Sequence, residues 1–111
     1  MKSMIRNISD HGIHYQALMF ICPGCGNDLH MLPVNTDVKT PVWQWDGDLE
    51  APTITPSILT QWGNETSGIH ICHSFLTQGI FNYLSNCTHS FANQQIPIPD
   101  LPDWIVEERS D

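Results

Sequence analysis

Apolar and β-branched residues fall in short runs punctuated by glycine, proline and asparagine, a pattern that predicts strands rather than long helices. Residues 11–21 are β-prone around Tyr15, Phe20 and Ile21, and residues 29–34 form a second such run. Cys22-Pro23-Gly24-Cys25-Gly26 lies between them, so the two runs predict a hairpin with this loop at its tip. Residues 38–46, with Trp43 and Trp45 on one strand face, lead through the turn signal Asp46-Gly47-Asp48 to residues 53–60, a second expected hairpin. Pro52 and Pro56 bracket Thr53-Ile54-Thr55, and proline cannot donate to a ladder, so that stretch reads as an edge strand or an irregular loop. Residues 61–67 are polar and contain glycine, a loop. Residues 70–76 and 80–85 flank Thr77-Gln78-Gly79 and predict a third hairpin. With Gln78-Gly79 as the turn, Thr77 opposes Ile80, Cys72 opposes Ser85 and His70 opposes Cys87. Pro97, Pro99 and Pro102 favour an extended arm over residues 92–102, after which residues 103–108 reach at most a short helix.

The length of 111 residues, with 41% hydrophobic and 14% charged, fits one small folded domain over 1–111, ending in a Pro-rich acidic arm over 96–111. Folding at this size hides roughly two-thirds of the unfolded surface, so the core is modest. The net charge is −8, and the four cations, Lys2, Arg6, Lys39 and Arg109, are scattered. With no basic stripe to displace counterions from a phosphate backbone, direct nucleic-acid binding is not expected. No apolar run approaches the roughly 20 residues that cross a bilayer, and the polar start lacks the apolar core of a signal peptide. A cytoplasmic protein is the expectation.

A reducing compartment turns attention from disulfides to metal for Cys22, Cys25, Cys72 and Cys87. The glycines of the Cys22–Cys25 loop allow a tight turn that aims both sulfurs at one ion, which is the spelling of a zinc knuckle. In the third hairpin, side-chain alternation sets Cys72 and Cys87 on one face as diagonal neighbours, with His70 beside them and His73 on the other. The expected ligands are therefore Cys22, Cys25, Cys72 and Cys87. His89, two residues beyond Cys87, is the first substitute, and His73 the second should the register slip. The expected fold is mainly β, a small zinc-ribbon-like domain of hairpins. Trp43 and Trp45 read as core rather than as a stacking platform, and Asp46, Asp48 and Glu50 as a solvated turn.

The ordered set Cys22-Pro23-Gly24-Cys25, Trp43, Asp46-Gly47-Asp48, residues 52–58, Cys72-His73-Ser74-Phe75, Gly79, Cys87-Thr88-His89 and a Pro-rich end resembles a family of small phage and prophage proteins of unknown function. Members often bear the label ammonia monooxygenase, but that enzyme is embedded in the membrane and this sequence shows no membrane segment. The resemblance implies a phage origin and a zinc-like site, and it supplies no reaction.

Two functions compete at this point. In one, a closed thiolate site holds structural zinc, and the acidic surface engages a host or phage protein as an interaction module or inhibitor. In the other, an open coordination position activates water in a small zinc-dependent hydrolase. Composition favours the first, because no carboxylate stands in a recognised motif with a histidine, and no catalytic residue is named by spacing.

Overall fold

In the computed structural model, which describes residues 1–108, residues 17–22 are buried without alternation because both faces of their strand are covered. That strand, Ile13–Cys22 (β2), runs antiparallel between Met4–Asp10 (β1) and Asp28–Val34 (β3) in a three-stranded sheet. Leu18, Phe20 and Cys22 face the main core, while Met19 and Ile21 face a second cluster with Met4, Leu101 and Ile105. The first hairpin forms as expected, with Cys22 opposite Asp28 and the cysteine loop turning through Pro23–Cys25. The outer strand β1 has no counterpart in the pattern reading, since Met4 is its one buried residue and its other positions are half-buried or exposed.

A five-stranded antiparallel sheet packs over this one in the order Gln44–Trp45 (β4), Ile54–Asn64 (β5), Gly68–Thr77 (β6), Ile80–Tyr83 (β7) and Gln95–Pro97 (β8). The core between the sheets joins Leu18, Phe20, Leu32 and Val34 to Ile54, Ile58, Leu76 and Phe81. The mainly β class is thus as expected, and the single helix among the described residues is Asp103–Glu108 (α1). Its Ile105, with Leu101, covers the outer side of β2. The arm before it is no free tail: Ile96 and Gln95 pair with Phe81 and Asn82, and Ile98 is buried. Residues 109–111 of the expected acidic arm lie outside the described residues.

Three expectations change. Residues 61–64 belong to β5, not to a loop, because pairing of Gln61 with Ile71 and Asn64 with Gly68 outweighs their polar composition. The turn proper is residues 65–67, where Asn64 Oδ1 accepts from the N–H groups of Thr66 and Ser67, both at 2.8 Å. The proline-flanked stretch is neither edge nor loop but part of a central strand. Pro56 is accommodated at a bulge: Ile54 pairs with Leu76 and Ile58 with Ser74, so residues 55–57 face Phe75 alone. Finally, Thr77 does pair with Ile80, set by a turn in which Gln78 (φ 49°) and Gly79 (φ 74°) are both left-handed. But β7 ends at Tyr83, so the expected pairs Cys72–Ser85 and His70–Cys87 do not form.

Trp43 and Trp45 are half-buried against the core, as core residues rather than a platform. Asp46 and Asp48 cap a turn: Asp46 Oδ1 accepts from Asp48 and Thr53 N–H, and Asp48 Oδ1 from Glu50 and Ala51 N–H.

Candidate functional site

Alternation along β6 divides its chemistry between two faces. Cys72, Ser74 and Leu76 are buried toward the core, and His73 points the other way.

On the inner face, Cys72 meets the cysteine loop. The sulfurs of Cys22, Cys25 and Cys72 all lie within 4.8 Å of one another, and the Cys22 and Cys72 sulfurs are 3.7 Å apart. Two thiolates each about 2.3 Å from one tetrahedral zinc stand about 3.8 Å apart, so this spacing suits a shared ion and is far too long for a disulfide. Tyr83 Oη accepts from the Gly24 N–H at 2.9 Å and lies 3.2 Å from Cys22 Sγ, leaving its own hydrogen to donate to that sulfur. Gly24 is required here. A Cβ on it would fall 2.6 Å from His89 Nε2 and 2.7 Å from the Tyr83 ring.

The electrostatics of the cluster are those of a thiolate nest. Hydrogen bonds from Cys25 and then Cys72 hold the Cys22 thiol well below the usual range, against its burial. The same bonds, with Cys22 first, push Cys72 up, so the cluster shares charge instead of holding it on every sulfur. Burial, then the hydrogen bond to Cys22, keeps the Tyr83 phenol protonated. His30, on β3, stacks on Phe20 with ring centroids 5.5 Å apart. Burial pulls its pKa down, but interaction with the Cys22 and Cys25 sulfurs outweighs that and raises it to about 9.

The fourth cysteine is elsewhere. Cys87 Sγ accepts from the His73 N–H and donates to the His73 C=O, both at 3.2 Å. The reason is the early end of β7: the chain turns after Tyr83, with Leu84 N–H bonded to His73 O and Cys87 N–H to Leu84 O. Cys87 therefore comes to the backbone of β6 instead of its inner face. His89 stands edge-on to Tyr83, centroids 4.9 Å apart, beside Gly24. Of the expected ligands the structure thus gathers Cys22, Cys25 and Cys72, and sets Cys87, His73 and His89 apart from that trio.

On the outer face, His73 lies between two partners. Ser57 Oγ is 3.0 Å from His73 Nε2, and Asn86 Oδ1 is 3.3 Å from His73 Nδ1. An amide oxygen only accepts, so Nδ1 carries the imidazole hydrogen and Nε2 is free to accept from the serine hydroxyl. Three elements build the arrangement. The β5 bulge delivers Ser57, whose C=O accepts from Trp43 Nε1 at 3.3 Å. Strand β6 delivers His73, directly opposite Leu59. The turn after β7 delivers Asn86 together with the Cys87 thiol that brackets the His73 backbone. Ser57 and His73 are half-buried and Asn86 is exposed, so the relay opens to solvent, flanked by exposed Leu59 and Phe75.

Sequence reasoning missed Ser57, Asn86 and His30. Ser57 lay within the quoted motif over residues 52–58, and His73 directly follows Cys72, but no spacing rule joins a serine to a histidine 16 residues on.

The model of the family described as "Bacterial ubiquitination-like system serine protease (BubE)" matches residues 2–84. That span holds the cysteine loop, Ser57 and His73, and ends before Asn86 and the Cys87-Thr88-His89 segment. No curated protein and no solved structure matches the chain.

Proposed function

The chain belongs to the BubE family of bacterial ubiquitination-like system serine proteases, and from that premise we propose that it is a serine protease acting through Ser57, His73 and Asn86. The observation that carries the reading is the Ser57–His73–Asn86 relay, with contacts of 3.0 and 3.3 Å in the order nucleophile, base and orienting group.

Ser57 Oγ attacks the carbonyl carbon of the scissile bond while His73 Nε2 takes its proton. Asn86 Oδ1 holds the Nδ1 hydrogen and so fixes the ring and its tautomer. The tetrahedral adduct collapses as His73 returns the proton to the departing amine, leaving an ester on Ser57. Water, deprotonated by His73, then releases the acid and restores the serine. A neutral amide in the third position resembles the Cys-His-Asn arrangement and orients the imidazole without supplying a negative charge. Exposed Leu59 and Phe75 lie on either side of His73 and offer apolar contact to the chain being cut. The net charge of −8 suits a protein partner with a basic surface.

Zinc is the proposed ion for the Cys22, Cys25 and Cys72 cluster, as soft thiolate donors favour it over the hard divalent cations. When bound, it would supply ligation energy, tying the cysteine loop of one sheet to β6 of the other. Because Cys72 and His73 face opposite sides of the same strand, the thiol cluster is not directed at the carbonyl that Ser57 attacks.

A fluorophosphonate probe tests the proposal without knowledge of the substrate. The protein is expected to gain one covalent adduct, mapped to Ser57 by peptide mass spectrometry, and to lose it in Ser57→Ala. Equal labelling of that variant, or none of the parent, would sink the assignment.

A further inference from the structure

Three thiols fill three corners of a tetrahedral zinc site, and a structural zinc site has four. The side chains nearest the cluster can be taken in turn. Cys87 commits its thiol to both backbone groups of His73, and His73 commits both ring nitrogens on the opposite face. Tyr83 is occupied by Gly24 and donates to Cys22. His89 has a buried Nε2 with no partner, but that atom abuts the Gly24 backbone, and its other nitrogen accepts from Phe91 N–H.

His30 shares the unpartnered Nε2 but differs in its place on the ladder and in what its ring packs against. It pairs with Phe20 across the β2–β3 ladder, two residues along from the Cys22–Asp28 pair, so it is the diagonal neighbour of Cys22. Alternation puts it on the same face as buried Leu32 and Val34, toward the core that contains the thiols. Its ring is held by stacking on Phe20, and its Nε2 is buried with no hydrogen-bond partner. A buried imidazole nitrogen left unpaired beside thiols is costly unless something binds it.

We infer that His30, through Nε2, is the fourth donor of a closed Cys3His zinc centre with Cys22, Cys25 and Cys72. The inference rests on the zinc reading proposed above and is independent of the protease chemistry. Such a centre draws three donors from the hairpin of one sheet and one from β6 of the other. With all four positions taken by protein, it holds the sheets together and leaves no place for reacting water.

The test is metal affinity, measured by competition with a chromophoric chelator and by the spectrum of the cobalt-substituted protein. His30→Ala is expected to weaken zinc by more than the roughly 10- to 100-fold that loss of an outer-shell partner costs. Cys87→Ser and His89→Ala are expected to stay within about 10-fold of the parent. Should His30→Ala fail to fold, His30→Cys provides the converse: cobalt bound with charge-transfer intensity raised from that of three thiolates to that of four. Parent affinity in His30→Ala, or unchanged charge-transfer intensity in cobalt-loaded His30→Cys, overturns the inference, as does metal loss confined to Cys87→Ser or His89→Ala. A parent protein that binds no zinc at all defeats the zinc reading itself, while labelling of Ser57 stands or falls separately.

Discussion

His73 is touched by every part of the outer site, and single substitutions around it separate the roles. Ser57→Ala removes the attacking atom and is expected to reduce peptide hydrolysis to background. His73→Ala removes proton transfer and should cost about 10²–10⁴-fold in kcat. Asn86→Ala leaves the base in place and frees its ring, so a smaller fall in kcat is expected. Steady-state rates on one peptide rank the three, and an Asn86→Ala loss as large as that of His73→Ala would contradict an orienting role. Cys87 supports His73 from behind. Cys87→Ala deletes two weak hydrogen bonds to the His73 backbone, each worth about 0.5–1.5 kcal/mol at most, so a modest fall in melting temperature with lower kcat and little change in KM is expected. A kcat equal to that of the parent would show that the bracket does not position the base.

At the scale of the element, β5 does two jobs along its length. Its first part, disrupted by the bulge at residues 55–57, turns Ser57 out of a regular ladder and toward His73. Its second part, from Ile58 to Asn64, pairs residue by residue with β6 and so holds that strand in register. Gly63 is critical to the second part. Its φ is +95°, and a Cβ there would sit 2.1 Å from the Gly68 carbonyl oxygen, a backbone atom with no freedom to retreat. Gly63→Ala is expected to destabilise by more than about 1 kcal/mol, read from chemical denaturation. Gly24→Ala is a gentler probe of the cysteine loop: the intruding methyl meets the His89 and Tyr83 rings, and overpacking of that kind costs about 1–3 kcal/mol. Zinc affinity should fall with it, because Tyr83 is the group that donates to Cys22. A Gly24→Ala protein with the stability and zinc affinity of the parent would show that the loop has room the structure does not.

For the molecule as a whole, the thiol cluster bridges two sheets that otherwise share a core centred on Phe20, Leu76 and Phe81. Ion removal therefore acts on their association more than on either sheet. A strong chelator is expected to lower Tm by at least about 5 °C, given that 1 kcal/mol moves Tm by about 4–8 °C at close to this size. Ser57 labelling should slow in step, as β6 carries Cys72 and His73 in succession. Calorimetry before and after verified metal loss checks the first part, and an unchanged Tm would remove the ion from the account of folding. The surface is acidic, and no helix among the described residues is long and apolar enough to cross a membrane.

Features that depend on neighbours along the chain were legible in the residues alone. The cysteine loop follows from Pro23, Gly24 and Gly26 between two apolar runs, and the β6–β7 register follows from a two-residue turn at Gln78-Gly79. Asp46 and Asp48 cap their own turn, a bond reaching only a few residues. The bulk of a β fold with a thiol pair at a hairpin tip was legible for that reason. Which distant groups meet was settled by packing. Extending the β6–β7 ladder past Tyr83 placed Cys87 with Cys72, whereas the chain turns there and places Cys87 behind His73. Ser57 and His73 meet across two strands at a bulge that shifts the register, and Asn86 arrives from the turn that ends β7. His30 depends on the face that β3 presents once both sheets have closed on the core. Pattern along a chain specifies alternation and turns. The partner across a strand or between sheets is set by where ladders stop and shift, and those points are fixed by packing of the whole.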